Sequence, residues 1–121
     1  MKYALLIYGN EAGWDGMSED QKQSLLERYE RFADDAIKRG MMRGGEQLHT
    51  TASATTIRVR SDETLVVDGP FAETKEQLGG FFLVECKNVD EAIDLATKIP
   101  GAQTGAIEVR PVVERPAEPH P

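Results

Sequence analysis

The sequence predicts an α+β domain of the split βαβ, ferredoxin-like type: an antiparallel sheet, helices on one of its faces and an extra hairpin inserted between its halves. Three observations predict it. Two nearly continuous apolar runs, Lys2 to Tyr8 and Phe81 to Cys86, read as central strands. Each is followed by a helical stripe of apolar residues at spacings of three and four, and then by a further strand-like segment. Pro111 falls in the last strand, where an edge position tolerates a missing N–H.

Taken in order, the first strand closes at Gly9-Asn10, and residues 11–17, with Gly13, Asp15 and Gly16, have the composition of a loop. Ser18 with Gln21 forms a capping box that opens helix one, whose stripe is Leu25, Leu26, Tyr29, Phe32, Ala33, Ala36 and Ile37 and whose stop is Gly40. Residues 41–48 and 55–60 carry weaker strand signals, the second alternating as Thr56, Arg58, Arg60 against Thr55, Ile57, Val59. Leu65 to Val67 is a short strand ended by Asp68-Gly69-Pro70. Asn88 with Glu91 repeats the capping box for helix two, with Ala92, Leu95, Ala96 and Ile99 on one face until Pro100-Gly101. The last strand spans residues 106–113 and sets Ile107, Val109, Pro111 and Val113 against Glu108 and Arg110.

With 121 residues the chain is one domain, assigned to residues 1–113, followed by a proline-rich tail, 114–121, expected to be frayed or extended. Fourteen Lys and Arg against 21 Asp and Glu give a net charge of −7, which opposes the phosphate neutralisation that direct nucleic-acid binding requires. The single cysteine, Cys86, permits no intrachain disulfide, so a reducing cytoplasm is the simplest location. The apolar N-terminal run is too short for an export signal or a membrane span. Two histidines and scattered carboxylates offer no metal-ligand spacing and no cofactor motif, so neither a metal nor a cofactor is expected.

If both helices cover one face of the sheet, the other face is too apolar to be left in water. Residues such as Tyr3 or Ala4 and Phe81 or Phe82 would lie on it, so a second copy is expected to cover it in a face-to-face homodimer.

Asp68 is a candidate acid or base, placed at the end of a strand expected to be buried, fixed by Gly69-Pro70 and beside Phe71. It could equally accept the N–H groups of its own Asx turn. His49, at a strand end, could exchange a proton in a cleft or be a surface histidine; His120, in the tail, is expected to be solvated. Residues 72–78 read as a solvated loop, or as a site element that supplies Glu73 or Glu76 as a second carboxylate and Lys75 as an anion anchor. Arg110, with Arg58 and Arg60, could hold a carboxylated small-molecule ligand. Trp14 could act as a lid or cover an end of the sheet.

The run from Asp68-Gly69-Pro70-Phe71-Ala72-Glu73-Thr74-Lys75-Glu76-Gln77-Leu78 to Gly79-Gly80 closely resembles the signature of the DGPF branch of the YCII-related domain family. The flanks 54–60, Asp90-Glu91-Ala92 and Glu108-Val109-Arg110-Pro111 also match. The resemblance implies a ferredoxin-like unit that pairs into a dimeric α/β barrel. It also implies a His–Asp active-site pair, with lyase activity on chlorinated aromatic rings in some relatives. Asp68 matches the motif aspartate, but the helix-one histidine position is occupied by Tyr29, a proton donor or a core residue. Metal-free acid–base chemistry of a lyase or isomerase type on a small polar or aromatic metabolite is one expectation. The alternative is a non-catalytic ligand-sensing or protein-interaction module, and the resemblance extends to proteins encoded near sigma factors.

Overall fold

The computed structural model describes residues 1–115. In chain order the elements are β1 (Lys2–Gly9), α1 (Glu11–Asp15), α2 (Glu19–Lys38), β2 (Met42–Gln47), a 3₁₀ turn (Thr51–Ser53), β3 (Thr55–Arg60), β4 (Glu63–Asp68), β5 (Gln77–Glu85), α3 (Val89–Ala96), a second 3₁₀ turn (Pro100–Gln103) and β6 (Ala106–Pro111). Four strands make one antiparallel sheet in the order β2-β5-β1-β6, and β3 and β4 make a separate two-stranded sheet. The two apolar runs therefore hold the centre, and Pro111 lies on an edge strand. Among the described residues no helix is long and apolar enough to cross a membrane.

The two longer helices start where side chains satisfy their free N–H groups. Ser18 accepts from the Gln21 N–H while Gln21 accepts from the Ser18 N–H, a complete capping box. At α3 the box is displaced: Asn88 accepts from the Glu91 N–H, but the Glu91 carboxylate accepts from the Lys87 N–H. Residues 11–15, expected to be loop, form the single helical turn α1 because Asn10 caps it, its side chain accepting from the Ala12 N–H. Ser61 and Asp62 turn β3 into β4 with φ of 50° and 66°, both in the left-handed region, as a two-residue hairpin turn demands.

The core lies between the helices and one sheet face. Tyr3 and Leu5 of β1, Val84 of β5, Phe32 of α2, and Ala92, Leu95 and Ala96 of α3 are buried together with Met41, Cys86 and Ile99. Fully buried side chains such as Leu5 and Leu95 each stabilise the fold by about 1.5–3 kcal/mol through removal from water. Phe82 joins this side, its ring 5.0 Å from that of Phe32. Two members of the expected helix-one stripe lie outside it, Leu26 at its margin and Ile37 exposed, and Val113 is also exposed. The last strand ends at Pro111, yet residues beyond it remain attached: Val112 donates to the Lys2 carbonyl, and the Glu114 carboxylate accepts from the Lys2 N–H at 2.8 Å. The remainder of the expected tail, 116–121 with His120, lies outside the described residues.

Candidate functional site

The C-terminal end of β1, the start of β5 and the end of β2 meet at one end of the four-stranded sheet, where Gly9 pairs with Gln77 and Gln47 with Gly80. Glu11 organises this end. Its carboxylate accepts from the Thr51 N–H at 2.7 Å and from the Thr51 hydroxyl at 2.8 Å, and its own N–H donates to the Gln77 side-chain oxygen at 3.1 Å. Gln77 in turn donates to the Thr74 carbonyl. The β3–β4 hairpin leaves the body after Thr51 and returns before Gln77, so Glu11 holds both of its stems. Glu11 and Thr51 carry no local motif and were not singled out by sequence reasoning, while Gln77 entered only as part of the 68–80 run; the capping Asn10 is the nearest signal to Glu11.

His49 is exposed beyond the end of β2 and lines, with Gln47 and Leu48, a shallow hollow of about 230 Å³. Among the described residues no hydrogen bond joins it to Asp68, and Asp68 does not line the hollow. Asp68 does not end a buried strand. Every residue of β4 is exposed, because the two-stranded sheet carries no covering layer among the described residues. Nor does it form the expected Asx turn: the Gly69 N–H donates to the Ala54 carbonyl at 2.7 Å, and the Gly69 carbonyl accepts from the Thr56 hydroxyl.

Phe71, 72% exposed, is not a wall beside Asp68. Its ring lies under the Arg58 guanidinium at 4.7 Å. Since Arg58 pairs with Leu65 and Asp68 with Thr55, alternation along the ribbon puts Arg58 and Asp68 on opposite faces. Glu73, Lys75 and Glu76 are exposed in the loop that leads to β5. Trp14 is half-buried on α1, with the Lys22 ammonium 5.2 Å from its ring centroid.

Tyr29 packs against the core. Burial raises its phenol above the ordinary value of 10.0, partly offset by the Gly101 backbone. Gly101 lies close under the ring: a Cβ would stand 2.7 Å from the Tyr29 hydroxyl oxygen and 3.2 Å from Ile7 Cγ2, so the phenol would have to move to admit a side chain. This is the environment of a phenol packed against the core.

Arg110 belongs to neither group. It pairs with Ala4, five residues along β1 from Gly9, or about 17 Å at strand rise. Its guanidinium is bound to Glu108, which raises it above the ordinary guanidinium value, and Glu108 also accepts from the Tyr8 hydroxyl at 3.3 Å. These three residues stand on the sheet face opposite the helices. Cross-strand pairing puts Ala4 with Leu83, Leu6 with Phe81, Leu6 with Glu108 and Glu46 with Phe81 on that same face. The face therefore has an apolar centre of Ala4, Leu6, Phe81 and Leu83 and a polar rim of Tyr8, Glu46, Glu108 and Arg110. Tyr3 and Phe82 lie on the helix side instead.

A separate apolar hollow of about 360 Å³ is lined by Ile93, Ala96, Thr97, Ala102, Ile107 and Val109. Among the described residues no group of three or more His, Cys, Asp or Glu is placed to hold a metal ion.

The sequence profile of the YCII-related domain matches residues 1–115. The chain is also similar to an uncharacterized protein of Rhizobium meliloti (strain 1021), with 38% identity over 114 residues, 93% of this chain and 92% of that one.

Proposed function

The chain belongs to the YCII-related domain family, and on that footing we propose that it is a cytoplasmic DGPF-type member whose ferredoxin-like units pair through their open sheet faces into a dimeric α/β barrel. Each protomer binds a small polar or aromatic metabolite at the sheet end organised by Glu11. The observation that carries this reading is the apolar strip of Ala4, Leu6, Phe81 and Leu83 across the two central strands, with no helix over it among the described residues. Antiparallel sheets tolerate a solvated face when that face is polar, and the centre of this one is not.

Binding is better supported than turnover. A catalytic acid–base pair must bring both groups within hydrogen-bond reach of the substrate protons they move. In a protomer Asp68 stands on an exposed ribbon, Tyr29 is held in the core, and His49 forms no bond to either. His49 and the hollow beside it supply the polar ligand contact, and the Asp68 hairpin borders the same end of the sheet.

A nuclear magnetic resonance titration with 4-hydroxybenzoate, a small polar aromatic probe, tests the ligand half of the reading. Saturable shifts are expected at the amides of Leu48, His49 and Thr51 and should be lost in His49→Ala. Shifts scattered over the surface without saturation would remove the site.

A further inference from the structure

The open face of the four-stranded sheet is ordered in rows. Leu6 pairs with Phe81 and with Glu108, and Phe81 pairs with Glu46, so one row across the sheet reads Glu46, Phe81, Leu6, Glu108. The next row, two residues or about 7 Å along the strands, reads Gly44, Leu83, Ala4, Arg110. Position by position the rows complement one another: a carboxylate against glycine, phenylalanine against leucine, leucine against alanine, and a carboxylate against a guanidinium. Arg110 is only partly engaged by its own chain. Its Nε and Nη2 donate to the Glu108 carboxylate, while its Nη1 has no partner among the described residues and its side chain is 64% exposed.

We infer that the two open faces meet about a two-fold axis that runs across the strands between these rows, so that Glu108 of each protomer faces the partner's Arg110. This placement rests on the sheet-face pairing proposed above and names the residues that set its register. For sheets packed with aligned strands, the other placements oppose like charges. An axis along the strands keeps every row level with itself and sets Glu46 against the partner's Glu108 twice. An axis across the strands on the Leu6 row sets Glu108 against the partner's Glu108, and one on the Ala4 row sets Arg110 against the partner's Arg110.

Between the rows, each large side chain lies over a smaller one and each Glu108 contact is repeated by symmetry. Packed sheets stand about 10 Å apart, a gap that a glutamate and an arginine span end to end. The four charges then alternate in sign, which locally offsets the repulsion between two chains of net charge −7.

Charge exchange between two variants tests this register. Glu108→Arg sets arginines against arginines, and Arg110→Glu sets glutamates against glutamates; both sites are exposed, so each variant should keep the wild-type circular dichroism spectrum. Light scattering at about 50 mM salt, where screening is weak, should show the dissociation constant of each variant alone raised about tenfold or more. An equimolar mixture of the two should recover the mass of a pair. A role confined to the ion pair within one chain would leave the mixture dissociated, and an effect of net charge alone would strengthen pairing in Glu108→Arg; either result overturns the register, as does unaltered pairing of either variant by itself. A wild type that runs as a single copy overturns the sheet-face pairing instead, so the two readings fail separately.

Discussion

The Glu11 carboxylate takes both the N–H and the hydroxyl of Thr51, at 2.7 and 2.8 Å, across 40 residues of sequence. With the Glu11 N–H bound to Gln77, one residue fixes the entry and the exit of the hairpin that carries Asp68. A deletion at this point acts on the orientation of the ribbon as well as on stability.

Glu11→Ala leaves two part-buried donors unpaired and should cost about 1–3 kcal/mol in urea denaturation. Amide hydrogen exchange should accelerate from Thr51 to Gln77 while β1 and the rest of β5 keep their protection. Uniform acceleration over the whole sheet would show that Glu11 has no special hold on the hairpin.

Asp68→Asn, in contrast, should shift stability by no more than about 0.5 kcal/mol, because the residue is exposed and its side chain makes no hydrogen bond among the described residues. A loss of about 2 kcal/mol measured by the same denaturation would mean that Asp68 is tied down within the fold.

Gly101→Ala forces a methyl group against the Tyr29 hydroxyl and Ile7 and should destabilise by about 1–3 kcal/mol. Adding Tyr29→Phe removes the closer of the two clashing atoms, so the double variant should recover part of the loss. Strict additivity of the two single changes would contradict the packing described.

Stability should fall in alkali. Burial holds both the Cys86 thiol and the Tyr29 phenol above their ordinary values of 9.0 and 10.0, so both are neutral in the folded chain. As the pH rises past about 9 the unfolded chain loses these protons first and therefore binds fewer of them than the folded one, which lowers the unfolding free energy. Below that range the two groups contribute no pH dependence. Urea midpoints measured from about pH 8 to 11 should decline, and Cys86→Ala with Tyr29→Phe should flatten the decline; an unchanged slope would assign it elsewhere.

Local signals made much of the fold legible. The Ser18–Gln21 box, the Asn88 cap and the two apolar runs each act within a few residues, and they set α2, α3 and the central strands. Where composition and context disagreed, context won. Residues 11–15 contain Gly13 yet form α1, because Asn10 caps the turn and Glu11 is anchored at both ends. Leu65 to Val67 look like a buried strand because three apolar residues follow one another, but their partner β3 belongs to no larger layer, so their burial cannot be read from the run alone.

The site was harder to read for the same reason. The Glu11, Thr51 and Gln77 contacts span 40 and 66 residues, and no spacing rule connects them. Tyr29 sat on an apolar stripe and also at a position where the family resemblance sets a histidine; the packing against Gly101 favours the first reading.

The pairing of open sheet faces is tested most directly by the mass of the chain in solution, measured by light scattering after gel filtration, for the wild type and for Leu6→Lys. Leu6 points away from the core, so the charge is compatible with the fold but not with a covered apolar strip. The wild type should have the mass of two chains of 13.4 kDa or an even multiple, and Leu6→Lys should halve it with an unchanged circular dichroism spectrum. A wild type of one chain, or a variant of unaltered mass, would contradict the account.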